Sequence, residues 1–263
     1  MNDPKILEQV ALQLPPQSKM ADSPEVDELC SLLVNTNSSG NGRVRRYNLL
    51  YWGVGRVART LDRDEVFQAL EALLHLVVST RSPRKLFVRA AVVGWHGRAV
   101  VICGPSGSGK TTLAEALIRA GATYYSDQYA VFDSRGRVYP YPNPLTFRDA
   151  DGDATKKCSA EMLGGRMGTK PLPVGLVVFT QYRSGARWRP GVLTEGQALL
   201  ALLGETVPIR RRPKRALTIC RRVAEGATVL RGKRGEANEL AGPLLNRLCS
   251  IDHDRRLVLT SEA

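Results

Sequence analysis

The sequence predicts an α/β fold, and three adjacent stretches predict it. Gly104, Pro105, Ser106, Gly107, Ser108, Gly109, Lys110 and Thr111 fit the glycine-rich pattern G-x-x-x-x-G-K-[ST] without a mismatch. The five residues before it, Ala99 to Cys103, are an apolar run of the kind that forms a buried strand. Thr112 to Ala120 after it read as a helix, and Gly121 stands where a left-handed C-terminal cap belongs. Strand, glycine loop and helix form the order in which successive backbone N–H groups converge on one anion, aided by the positive end of the helix dipole.

The residue types in the loop match that chemistry. Glycines permit the backbone shape of a phosphate cradle. Gly104 through Thr112 are therefore the expected nucleotide-binding residues. Lys110 would reach the β- and γ-phosphates as a mobile cation, and the Thr111 hydroxyl suits Mg²⁺, which takes oxygen ligands. The plainer reading, a glycine- and serine-rich turn ahead of an ordinary helix, leaves the spacing and the two flanks unexplained.

Taken from the N-terminus, residues 1–43 read as a peripheral segment. Ser23 to Leu33 has Pro24 at a first helical position, acids in the first turn and Val26, Leu29, Cys30 and Leu33 on one face, which predicts a short helix. Asn35 to Gly42 has linker composition, so the main domain is expected over 44–263. Arg45 to Trp52 reads as a strand. Asp62 and Glu65 have capping-box spacing ahead of Val66, Leu70, Leu73 and Val77 at helical period. His75 lies near that apolar face and reads as a core histidine rather than a ligand.

Leu86 to Val93 is a second strand, and the turn at Trp95 to Arg98 returns the chain into the strand before the glycine loop. A β-hairpin, not a βαβ crossover, thus feeds the loop. Beyond the helix, Thr123 to Asp127 reads as a strand ending in a carboxylate. Tyr129 to Asp133 and Val138 to Tyr141 suggest a further hairpin. Residues 148–172 read as a polar, glycine-rich mobile loop, and Val174 to Thr180 as a buried strand. Thr194 and Gln197 cap a helix carrying Leu199, Leu202 and Leu203. Pro213 opens another, and a last helix from about Glu236 is expected to break at Pro243.

Composition narrows the function classes. The longest apolar runs are too short to span a bilayer, and the N-terminus lacks the basic start and apolar centre of a signal peptide. Five scattered cysteines without a C-x-x-C pair fit free thiols in a reducing cytoplasm. The net charge is +13, and it is uneven: residues 1–100 carry 13 basic and 10 acidic side chains, the remainder 25 and 15. Arg210, Arg211, Arg212, Lys214, Arg215, Arg221, Arg222, Arg231, Lys233 and Arg234 face only Glu225 within one stretch. Such a stretch suits an acidic peptide, a neighbouring subunit or a solvated face. It lacks the interleaved aromatic residues that favour nucleic acid.

From about residue 45 to residue 248 the chain resembles the HPr kinase/phosphorylase group. It resembles more closely the small HPr-kinase-like phosphotransferases of bacterial gene clusters, including those that phosphorylate lasso peptides. The likeness rests on the strand pair Leu86 to Val101 followed at once by the glycine loop. It continues over Ala122 to Asp133, Tyr139 to Pro142, Gly175 to Arg183 and Arg234 to Ala237. The resemblance implies a P-loop domain with a mixed sheet that moves the γ-phosphoryl of ATP, with Mg²⁺, onto a serine-type hydroxyl of a peptide or protein. Relatives often form ring-like homo-oligomers. The general base of the family maps to Asp127, and Lys110 and Arg89 join it as catalytic candidates. Two positions depart from the family pattern. Arg89 stands where a histidine is usual and cannot accept a proton. Gln128 stands where a second acid is usual, at a metal-holding position beside Thr111. These departures open a second reading, a nucleotide-binding regulator or scaffold with little turnover.

Overall fold

Buried apolar side chains gather separately in two parts of the chain, Met1–Arg81 and Ser82–Ala263. The computed structural model describes residues 6–23, 25–35, 46–148, 155–207 and 211–261. The boundary expected near residue 43 therefore falls inside the first unit.

The first unit contains α1 (Leu7–Ala11), β1 (Cys30–Leu33), β2 (Asn48–Trp52), β3 (Gly55–Thr60) and α2 (Arg63–Arg81). The three strands form an antiparallel sheet in the order β1-β2-β3. Val66, Phe67, Leu70 and Leu73 of α2 cluster with Leu32 and Leu50. Asp62 caps α2 by accepting the Asp64 N–H at 2.8 Å, whereas the Glu65 carboxylate takes the Thr60 hydroxyl instead of closing a capping box. His75 is buried, as its place on the apolar face suggests. The helix expected over 23–33 is a correction. Cys30–Leu33 pairs in register with Leu49–Trp52, burying Leu32 while Val26 and Leu29 stay exposed. Strand pairing outweighs the weak helical pattern of so short a segment. Pro24 and most of the expected linker lie outside the described residues.

The second unit is built on a nine-stranded mixed sheet. Its strands are β4 (Leu86–Trp95), β5 (Arg98–Cys103), β6 (Thr123–Ser126), β7 (Tyr129–Phe132), β8 (Val138–Tyr139), β11 (Val174–Tyr182), β12 (Gly191–Val192), β13 (Thr206–Val207) and β14 (Thr228–Arg234). The main path runs β12-β14-β11-β5-β4-β7-β8, with β6 and β13 also paired to β4. β5, β11 and β14 are parallel, and β4 is antiparallel to β5. The hairpin between β4 and β5 turns on His96 and Gly97, both at positive φ (45° and 79°), as a tight two-residue turn requires.

Side chains alternate across this sheet. Val88, Ala90, Val92, Val101 and Cys103 face α4 (Glu195–Gly204) and α5 (Pro213–Gly226). Ala91, Val93, Val100 and Ile102 face α3 (Lys110–Arg119) and α6 (Ala237–Ser261). Both faces are covered, so the central strands read as continuous apolar runs. Thr194 caps α4 with the expected reciprocal bonds to Gln197.

Two further expectations change. In place of a loop over 148–172, Leu145–Arg148 (β9), which ends where that segment begins, pairs with Thr155–Cys158 (β10), Glu161–Leu163 forms a 3₁₀ turn, and Leu172 bridges Val138. Residues 149–154 of that segment lie outside the described residues. This two-stranded hairpin is separate from the main sheet, and Leu145 and Ala160 are buried in the cluster that holds Leu113 and Leu117 of α3. Pro243 does not break the last helix, which runs through it. Pro243 and Glu239, whose carbonyl loses its helical partner, both lie on the exposed side, where water can serve that carbonyl.

Candidate functional site

The parallel strands β5, β11 and β14 end on one edge of the sheet, and the loop 104–109 leaves β5 there to enter α3. Gly104 is held at φ 156°, with the Thr180 carbonyl only 2.5 Å from where a Cβ would stand. Gly109 is the N-cap of α3 at φ 80°. Both positions demand glycine, one for close approach and one for a left-handed backbone.

A cavity of about 660 Å³ opens over this loop. Gly104, Pro105, Ser106, Gly107, Gly109, Lys110, Thr111 and Thr112 line it, together with Arg89, Asp127 and Gln128. The structure thus gathers these widely separated candidates at one place. Ser108 is the exception among the loop residues. It is buried beneath the loop, beside Gly104, and does not line the cavity.

Asp127 follows β6, so strand pairing with β4 carries its carboxylate to the first turn of α3. Its Oδ2 accepts the Thr111 hydroxyl at 3.0 Å and the Thr146 N–H at 3.1 Å. Its Oδ1 is buried and has no hydrogen-bond partner among the described residues. Burial pushes the carboxyl up to about 6, against the pull of the Thr146 and Thr111 donors and the Lys110 charge. Lys110 Nζ donates to the Gly104 carbonyl at 2.8 Å and the Pro105 carbonyl at 2.9 Å. Burial lowers its pKa, while Asp127 and then Glu205 act in the opposite direction. Gln128 Oε1 accepts from Asn143 at 3.4 Å.

Arg89 projects from the middle of β4 and is more than half exposed. Its Nε lies 3.4 Å from a Glu205 carboxylate oxygen, and its backbone N–H donates to the Glu205 carbonyl at 2.8 Å. Glu205 is a lining residue that the sequence does not single out. It reaches the cavity because β13 pairs antiparallel with β4, and a two-residue strand leaves no periodicity to read. Thr146 and Phe147 of β9, just ahead of the segment expected to be a loop, also line the cavity. Of the basic stretch, Arg231, Lys233 and Arg234 belong to β14 and Arg210 lies outside the described residues. Most of the others are solvated on α5.

The donor set bears on a cation. Thr111 and Asp127 offer hard oxygens, one of them the orphaned Oδ1. No group of three or more acidic, histidine or cysteine side chains converges among the described residues. This combination fits Mg²⁺, which keeps water and shares substrate phosphates, better than a metal caged by protein alone. The cysteines with the largest shifts, Cys103 and Cys220, are buried with raised pKa, chiefly by desolvation, and offer no nucleophile. No described helix is long and apolar enough to cross a membrane.

No family model matches this sequence, and no curated protein matches it. Among solved structures, the chain is similar to the Hpr(Ser) kinase/phosphatase from Coxiella burnetii. The identity is 13% and the TM-score 0.37, over 66% of this chain and 98% of that one.

Proposed function

We propose that this protein is an ATP-dependent phosphotransferase of the HPr-kinase type that moves the γ-phosphoryl group to a serine-type hydroxyl of a peptide or protein. The observation that carries this reading is the Asp127 carboxylate bonded to the Thr111 hydroxyl in the cavity lined by the glycine loop and Lys110. The loop residues 104–112 hold the nucleotide. Lys110 exchanges its loop carbonyls for phosphate oxygens. Thr111, its hydroxyl proton held by Asp127 Oδ2, would hold Mg²⁺ through an oxygen lone pair, and the metal when bound would screen the phosphate charge. Gln128 is the weaker ligand, because its amide oxygen is engaged by Asn143.

In the transfer, the acceptor oxygen bonds to the γ-phosphorus as the bond to the β–γ bridging oxygen breaks, and ADP leaves. Asp127 takes the acceptor proton at its unpartnered Oδ1. Its raised pKa suits a base working near neutrality. Arg89 has the charge and placement to meet the transferring phosphoryl, a role in which an arginine is worth about 10³-fold or more. The acceptor is a peptide or protein, with homo-oligomerisation and a cytoplasmic setting as further parts of the proposal.

The second reading, a nucleotide-binding regulator with weak turnover, draws on Arg89 and Gln128 at positions where the family has a histidine and an acid. The test is mass spectrometry of candidate acceptor peptides after incubation with Mg-ATP. The expected result is a gain of one phosphoryl group with ATP consumed only in the presence of acceptor. Asp127→Asn should bind nucleotide within a few-fold of wild type and lose about 10²–10⁴-fold in transfer rate. Tight ATP binding without transfer to any acceptor would favour the regulator.

A further inference from the structure

Arg234 is the last residue of β14 and is only 1% exposed. Arginine stays protonated in proteins, so this is a buried cation. Its Nη2 donates to the Gly109 carbonyl at 2.7 Å and its Nη1 to the Gly235 carbonyl at 2.8 Å. The buried Nε has no partner among the described residues. The guanidinium carbon lies 5.5 Å from the centre of the Tyr182 ring. The neighbouring acid, Glu236, is exposed and accepts the Tyr182 hydroxyl at 3.0 Å. No ion pair joins it to Arg234 among the described residues. Burial lowers the arginine's pKa, with Glu236 and Tyr182 opposing. A buried charge with so little compensation is costly to the fold.

The geometry shows what that cost supports. The Gly109 carbonyl and the Lys110 N–H belong to one planar trans peptide and point in opposite directions. The carbonyl also accepts the Leu113 N–H at 3.0 Å as the first acceptor of α3, so the guanidinium is a second donor to a peptide whose Lys110 N–H points away from Arg234. That N–H is the first of α3 and has no partner within the helix.

Resting on the phosphate-loop reading above, we propose that Arg234 is a buried positioning residue for a polyphosphate ligand. Its hydrogen bond, added to that of Leu113, braces the Gly109–Lys110 peptide with the Lys110 N–H facing the anion. Its charge is compensated by the bound phosphates. The site is thereby tuned to ligands of high negative charge, ATP and ADP over AMP.

Arg234→Gln removes the charge, and its amide ends two bonds short of the Nη2 that bonds the Gly109 carbonyl, so both contributions are lost together. Arg234→Lys keeps the charge with a less complete donor set. Affinities for ATP, ADP and AMP are measured by calorimetry, and ligand-free melting temperatures by scanning calorimetry. The expected result is that Arg234→Gln melts at or above the wild-type temperature without ligand. It binds ATP about tenfold or more weakly, a change of about 1.4 kcal/mol or more. The loss shrinks from ATP to AMP, and Arg234→Lys recovers most of it. An equal loss for all three nucleotides overturns the proposal, as does unchanged ATP affinity. Arg234→Met serves as a second neutral variant. If both neutral variants lose the folded state, Arg234 is a structural arginine and the proposal fails. Wild-type protein that binds no nucleotide overturns the phosphate-loop reading itself, an outcome distinct from any of these.

Discussion

Replacing Asp127 with asparagine should alter the pH dependence of stability in a calculable way. The carboxyl is 4% exposed, and its pKa rises from 3.8 to about 6 in the folded chain. The folded state therefore holds a proton that the unfolded chain releases between these values. Stability falls as pH rises through that window, because the unfolded state binds fewer protons there. That rise corresponds to a loss of about 3 kcal/mol, fully expressed above the folded pKa and absent below the unfolded one. Asparagine has nearly the same shape and does not titrate. Its oxygen can accept from Thr111 and Thr146, and its amide takes the place of the unpartnered Oδ1. Urea denaturation of both proteins, without nucleotide and with a metal chelator, is measured from pH 4 to pH 8. The groups common to both cancel in the difference. Asp127→Asn should match wild type within experimental scatter near pH 4 and exceed it by about 3 kcal/mol at pH 8. A difference constant across the range would refute the reasoning, since the carboxyl would then titrate alike folded and unfolded.

Two further outcomes can be checked. Arg89→His, alone or together with Gln128→Glu, should lower turnover with Mg-ATP and acceptor, measured as phosphopeptide formed, because it removes the cation beside the transferring phosphoryl; a rise in rate would take Arg89 out of that role. Thr194→Ala removes the hydroxyl that accepts the Gln197 N–H at 3.4 Å and should cost about 1 kcal/mol in urea denaturation; an unchanged midpoint would make this cap dispensable.

Local features were legible wherever chemistry and spacing are bound together. The glycine loop with its flanks, the β4–β5 hairpin and the Thr194 capping box could each be read from a few adjacent residues, because backbone sterics and hydrogen-bond reach act over that range. Asp127 was legible as the carboxylate ending a strand. Its elevated pKa was not, since that follows from tertiary burial, which outweighs the opposing pull of the Thr146 N–H nineteen residues away. The N-terminal strand was missed because Cys30–Leu33 has a partial helical pattern and gains strand structure only by pairing with Leu49–Trp52. Helix α6 continues past Pro243 because the missing N–H falls on an exposed side, a fact of packing and not of sequence.

The loop that can cradle an anion, and the alternation of buried strands and helices around it, follow from the local residue pattern alone. The tertiary structure decided which distant residues share that loop's surroundings. β13 brings Glu205 to Arg89, and β14 sets Arg234 behind Gly109. The physical reason is range. A turn or cap is fixed by atoms a few residues apart. The placement of a charge depends on which strands pair, and that follows from burying both faces of one sheet at once.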